Sequence, residues 1–208
     1  MRKVKRESFE INYDESLKRD FFRRDAEEVA HDLIGKVIVR KSNHGGYQAA
    51  RIVETEAYLP ENDKASHSAR GKTPSNAAMF EEGGIAYVYR SYGIHFCLNF
   101  VSGNYGEGTG VLIRAAEPLL GIEEMIRNRG MDNIFRLCKG PGNLTQAFGI
   151  DIDDNFSSLL VPEFFVQKWQ EIDDNNIIRT KRIGISKAKN RQLRFILQGS
   201  KFVSAKKS

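Results

Sequence analysis

Cysteine is nearly absent from this 208-residue chain: Cys97 and Cys138 stand far apart and outside any CxxC pair. That spacing argues against a disulfide framework and a zinc knuckle, and fits a reducing compartment. Histidine is also scarce, and His31, His44, His67 and His95 form no metal-ligand spacing. No stretch approaches the roughly 18 consecutive apolar residues of a membrane helix. The basic start, Met1-Arg2-Lys3-Val4-Lys5-Arg6, runs into Glu7, Glu10, Asp14 and Glu15 rather than an apolar segment, so it does not read as a secretion signal. Internal repeats and a clear linker are missing too. The expectation is a monomer of the cytosol (or of the nucleus in a eukaryote), neither secreted nor in a membrane.

The hydrophobic fraction of 40% is enough to bury a core, and the formal charge of +5 permits contact with a polyanion. Residues 1–18 are charged and aperiodic and read as a flexible basic arm, 19–204 as the folded domain, and 205–208 as a tail. Ala26, Val29, Ala30 and Leu33 recur at helical spacing after Asp25, and Gly35 stops them. Lys36–Arg40 and Tyr47–Ala57 read as a hairpin around His44-Gly45-Gly46. Residues 59–76 read as a loop with at most one short helical turn. A second hairpin follows, Ile85–Arg90 and Ile94–Phe100, turning at Ser91-Tyr92-Gly93. Val111–Arg114 is a further strand. Pro118 is expected to open a helix bearing Leu119, Ile122 and Ile126. Gly140-Pro141-Gly142-Asn143 precedes a short helix, and strands are expected at Arg182–Ser186, Leu193–Leu197 and Phe202–Ser204. The sum is a single α+β domain on antiparallel sheet.

Four groups of residues could carry chemistry. Glu54 and Glu56 point to one face of a strand, where two carboxylates are costly unless used or paired. The alternative is an exposed strand with solvated glutamates, and spacing does not choose between the two residues. Tyr58, His67, Tyr87 and Tyr89 offer either core packing or a stacking platform for a base. Tyr92, beside Gly93 at a hairpin tip, is poorly placed for burial and suits a wedge between base pairs. Lys139, Gly142 and Asn143 at a helix start offer N–H groups and charge to a phosphate. Glu54, Glu56, Asp63 and His67 have no recognised metal spacing.

From Arg51-Ile52-Val53-Glu54-Thr55-Glu56-Ala57-Tyr58 onward the chain resembles the alkyladenine (3-methyladenine, methylpurine) DNA glycosylases. The likeness continues through Ala65-Ser66-His67-Ser68, Tyr87-Val88-Tyr89, Tyr92-Gly93, Phe96-Cys97 and Asn99. It extends through Val111-Leu112-Ile113-Arg114-Ala115, Glu117-Pro118 and Gly140-Pro141, and resumes at Arg182-Ile183-Gly184. The resemblance implies a curved antiparallel sheet with flanking helices and a protruding β-hairpin, acting without cofactor or metal. It implies that Glu56 is the base that activates water and that Arg114 helps hold that water. Tyr58, His67 and Tyr89 would wall a flipped base, Asn99 would obstruct the amino group of guanine, and Tyr92 would intercalate. The implied partner is duplex DNA containing a damaged purine, alkylated or deaminated. Arg90-Ser91 and Ile94-His95, flanking the wedge, depart from the family pattern. The competing readings are a nucleic-acid-binding module without catalysis, a metal-dependent nuclease and a lyase.

Overall fold

The computed structural model describes residues 9–42 and 44–204. Short helices α1 (Arg19–Phe22) and α2 (Ala26–Asp32) come first. The side chain of Asp25 caps α2 by accepting from the Glu27 N–H, which satisfies one of the unpaired donors at a helix start. Strands β1 (Val37–Lys41) and β2 (Tyr47–Tyr58) form the first hairpin, and β3 (Ala86–Ser91) and β4 (His95–Ser102) the second. Between the hairpins lie two 3-10 helices, His67–Arg70 and Pro74–Phe80, in the stretch expected to be a loop. Strand β5 (Thr109–Leu120) leads to helices α3 (Ile122–Arg129), α4 (Ile134–Leu137) and α5 (Pro141–Phe148). Strands β6 (Leu160–Val161), β7 (Phe164–Gln167), β8 (Ile177–Thr180) and β9 (Arg194–Leu197) complete the described chain.

All pairings are antiparallel, in the order β3-β4-β5-β2-β1-β7-β6, with β9 joined to β2 and β8. Strand β2 is the spine. One edge carries β5, and the other carries β1 along Tyr47–Arg51 and then β9 along Glu54–Glu56. Its Val, Ile, Thr and Tyr content suits a pleated, buried strand. Thr55 faces α2, donating its hydroxyl to the Ala30 carbonyl at 2.7 Å. Alternation therefore turns Glu54 and Glu56 to the opposite face. The β2–β5 register runs Ile52↔Ala116, Glu54↔Ala115, Thr55↔Ile113. Val53 is thus an extra residue on one strand and Arg114 on the other. Bulges of this kind re-aim side chains; Ile113 and Ala115 enter the main core and Arg114 turns toward the glutamates.

Four expectations change. The described part of the arm, residues 9–18, is packed: Phe9, Ile11 and Tyr13 cover Val37, Val39 and Phe165, and Leu17 is buried. Their every-second-residue spacing is a strand-like pattern inside a charged stretch. Residues 1–8 and 205–208 lie outside the described residues. Pro118 sits within β5, opposite Ala50, where the register slips and no ladder N–H is required; helix α3 begins only after Gly121, at φ 71°. Arg182–Ser186 and Phe202–Ser204 are not strands; the Ile183 and Ser204 N–H groups bind the buried Glu56 and Glu54 carboxylates, and the Phe202 N–H binds the Ser200 hydroxyl. Strands β6, β7 and β8 were not expected.

Gly83 marks a close approach, since a Cβ there would lie 2.4 Å from the Phe22 carbonyl oxygen. That oxygen already accepts from the Gly103 N–H, and the Phe22 side chain is fully buried. Gly83→Ala should cost about 1–3 kcal/mol through forced backbone shift, read as a lower urea midpoint; an unchanged midpoint would mean that this junction yields freely.

Candidate active site

Glu54 and Glu56 are both fully buried, which excludes solvated glutamates on an exposed strand. Their environments differ in one countable respect. Glu54 accepts four hydrogen bonds among the described residues: from Arg114 Nε at 3.0 Å, Arg194 Nε at 2.8 Å, and the Ser204 hydroxyl at 2.8 Å and N–H at 2.5 Å. Glu56 accepts three among the described residues: the Tyr58 hydroxyl at 2.9 Å, Arg114 Nη1 at 3.2 Å and the Ile183 N–H at 2.9 Å. Three of the Glu54 donors meet Oε1 and one meets Oε2, whereas Glu56 takes two on Oε2 and one on Oε1; all three Glu56 donors line the cleft described below, while Arg194 and Ser204 hold Glu54 from outside that lining.

Burial pushes the Glu56 carboxyl above its usual range, against the opposing pull of Arg114 and the Ile183 and Tyr58 hydrogen bonds. Burial works the other way on Arg114, but Glu56 and Glu54 outweigh it, and its guanidinium is held charged. Tyr58 is raised by burial and by Glu56, so it remains a phenol and donates.

In front of this cluster opens a cleft of about 450 Å³, lined by Tyr58, His67, Tyr89, Asn99, Arg114 and the hairpin tip at Tyr92. The volume falls among small-ligand sites. The rings of Tyr87 and Tyr89 stack at 5.4 Å, and His67 meets Tyr89 edge-on at 4.4 Å. His67 Nδ1 lies 2.8 Å from the Tyr87 hydroxyl. Burial lowers the His67 pKa below its usual 6.5, leaving a neutral ring at neutral pH. Asn99 is fixed by donating from Nδ2 to the Tyr87 carbonyl at 3.1 Å, across the β3–β4 pair.

Several site residues are invisible to spacing. Arg182 is buried, bonds the Ala57 carbonyl, grips Asp63 with both terminal nitrogens and lies 4.5 Å from the Tyr58 ring. Burial pushes Asp63 up, but the Arg182 hydrogen bond and charge and the N–H groups of Leu59 and Ala65 hold it below the usual range. The only sequence signal for this clamp is the resumed resemblance at Arg182-Ile183-Gly184. Among the described residues, no three His, Cys, Asp or Glu side chains converge as metal ligands.

The tip of the second hairpin projects. Tyr92 is 88% exposed at φ 51°, followed by Gly93 at φ 70°, and Ile94 is 73% exposed. A bulky residue with positive φ is an outlier that costs about 1–2 kcal/mol. Such strain motivates a functional hypothesis. Behind the hairpin, a Cβ on Gly142 would lie 2.8 Å from His95 Cβ, so this glycine serves close packing of α5. Asn143 spends its amide on the Lys139 carbonyl at 2.6 Å. Of the three residues read as a phosphate site, two are therefore engaged in local structure.

The model of the methylpurine-DNA glycosylase family matches residues 20–201. The chain belongs to this family. It is 45% identical over 192 residues to a Methanoculleus marisnigri protein, covering 91% of this chain and 98% of that one. It is 47% identical over 188 residues to one from Rhodopseudomonas palustris, covering 90% of each. An Agrobacterium fabrum relative is 46% identical over 195 residues, covering 94% and 95% respectively. Each of these relatives is named "Putative 3-methyladenine DNA glycosylase". Methylpurine-DNA glycosylases are hydrolases of N-glycosyl bonds, an activity that calls for a water-activating group beside a base-sized cleft.

Because Tyr92 is strained and almost unpacked, Tyr92→Gly should leave the denaturation midpoint equal or raise stability by up to about 1 kcal/mol. The same change should weaken capture of an ethenoadenine lesion in duplex DNA, followed by its fluorescence. A large loss of stability would make Tyr92 a structural turn residue, and unaltered capture would argue against a role for it in entering the duplex.

Proposed function

We propose that this protein flips alkylated or deaminated purines out of duplex DNA and hydrolyses their N-glycosidic bond with a water activated by Glu56, leaving an abasic site. The observation that carries the reading is that Glu56 is held by Tyr58, Arg114 and Ile183, all of which line the aromatic cleft, whereas Glu54 is held also by Arg194 and Ser204, which do not.

Flipping costs a few kcal/mol, less for a damaged or badly paired base. Tyr92, and Ile94 beside it, are apolar groups of a size to fill the vacated stack. Within the cleft, the rings of Tyr58 and Tyr89 would attract a cationic alkylated purine by about 0.5–2 kcal/mol. A neutral His67 adds no repulsion. The cleft would thus prefer a base that carries charge and is already a good leaving group.

For such a lesion the chemistry is short. The water oxygen attacks C1′ of the sugar while the C1′–N bond breaks. The departing electron pair neutralises the purine, and the water proton passes to Glu56. Arg114, fixed between the glutamates, would hold the same water. General-base assistance accounts for about 10²–10⁴-fold, and the carboxylate also stabilises the positive charge building on the sugar.

Glu56→Gln should abolish release of 3-methyladenine while lesion-duplex binding survives, because shape and most hydrogen bonding are kept. In the parent protein the single-turnover rate should rise with pH, with its acid limb above the ordinary glutamate value of 4.5, since burial raises Glu56. Near-normal turnover by the variant would remove Glu56 from the mechanism; binding without base release by the parent itself would favour a non-catalytic DNA-binding module.

Asn99→Ala should raise the ratio of guanine-type to hypoxanthine excision. The amide pinned to Tyr87 stands in the cleft, where the extra amino group of guanine would need room and a partner. An obstructed or unpaired buried amino group supplies about 1–3 kcal/mol of discrimination. An unchanged ratio would reduce Asn99 to a cross-strand brace.

A further inference from the structure

The strand face that carries Glu56 carries a second buried carboxylate with a different office. Glu54 and Glu56 share the guanidinium of Arg114, whose Nε meets Glu54 at 3.0 Å and whose Nη1 meets Glu56 at 3.2 Å. Its remaining nitrogen, Nη2, lies 3.4 Å from the Ser204 hydroxyl. Every nitrogen of a rigid planar fork is thereby anchored. Ser204 is the last of the described residues, and its own N–H and hydroxyl both bind Glu54.

We infer that Glu54 and Ser204 are positioning residues for the hydrolysis: Glu54 fixes Arg114 and draws off part of its charge, and Ser204, brought in by the C-terminal segment, fixes Glu54. The inference rests on Glu56 being the base.

The electrostatics depend on which groups face Glu56. Arg114 approaches from β5, Tyr58 and Glu54 share β2, and Arg194 stands opposite on β9 while bonding Glu54. The Ile183 N–H comes from the segment after β8. Tyr89 on β3 and Cys97 on β4 are both raised by burial and stay neutral. The Arg182–Asp63 pair lies behind Tyr58 and is internally balanced. Glu54 is thus the negative charge beside Glu56 within this set. Without it, Arg114 would act on Glu56 undivided, making Glu56 a weaker base and freeing Arg114 to swing.

The test compares the full-length protein with Glu54→Gln, Ser204→Ala, Ser204→Thr and Glu56→Gln. Single-turnover release of 3-methyladenine is followed across pH, alongside lesion-duplex Kd and the urea midpoint. Glu54→Gln should slow release by about tenfold or more, the scale of one lost charge-assisted hydrogen bond, with Kd within about threefold. Its acid limb should move to lower pH, a shift that simple loss of stability would not produce. Ser204→Ala should slow release about three- to tenfold, and Ser204→Thr, which restores a hydroxyl, should recover most of it. An unmoved acid limb in Glu54→Gln, or a Ser204→Ala protein as fast as the parent, overturns the inference; if Glu54→Gln does not fold, the Ser204 pair of variants decides. An inactive Glu56→Gln beside parent-like Glu54 and Ser204 variants would overturn only this inference, whereas an active Glu56→Gln would overturn the base assignment beneath it.

Discussion

Two carboxylates on one face of the central strand, both without access to solvent, are the constraint around which this molecule is built. An isolated buried ion costs several kcal/mol even after relaxation, and removing one partner of a buried pair is strongly destabilising. Glu54 and Glu56 persist because other elements bend to meet them. Strand β5 bulges at Arg114 to turn its side chain toward both. Strand β9 sets Arg194 against Glu54. The segments at Ile183 and Ser204 direct backbone N–H groups to the two carboxylates rather than into a ladder. Replacing such a cluster by apolar side chains is often neutral or stabilising, so its retention points to chemistry rather than stability.

The same constraint separates what was legible in the sequence from what was not. Strands β1 to β4 were legible because β-branched and aromatic runs are cut by Gly45-Gly46 and Tyr92-Gly93. Helix α2 announced itself by helical spacing and an Asp25 cap. The strands expected at Arg182–Ser186 and Phe202–Ser204 failed where local pattern competes with a distant partner: the Ile183 and Ser204 N–H groups serve carboxylates more than 100 residues away in sequence. Pro118 misled because its missing N–H suits a register slip as well as a helix start. Phe9, Ile11 and Tyr13 were hidden in a charged stretch, although their alternation matches the β1–β7 face they cover.

The site was legible unevenly, for a related reason. Tyr58, His67, Tyr89, Asn99 and Arg114 do line one cleft, and Tyr92 does stand exposed at a tip. Spacing alone left Glu54 and Glu56 equivalent. They differ in the number of donors around each oxygen, which depends on residues far along the chain. The bulge at Arg114 has no glycine or proline to announce it. The clamp between Arg182 and Asp63, which backs the Tyr58 wall, joins two polar segments with no pattern of their own. On the proposed reading, a preformed cleft, neutral at His67 and rich in phenol rings, would lower the ordering cost of binding a planar cation, and the strained turn at Tyr92 would place local instability where the duplex is deformed.

Hydrolysis at the Glu56 site is tested most directly with duplexes that each hold one 3-methyladenine or hypoxanthine, incubated with the protein in excess chelator. The expected products are free purine and an intact strand that breaks only on later alkali treatment, as hydrolysis at C1′ without a lyase step requires. Absence of free base, strand scission without base release, or activity abolished by the chelator would contradict it.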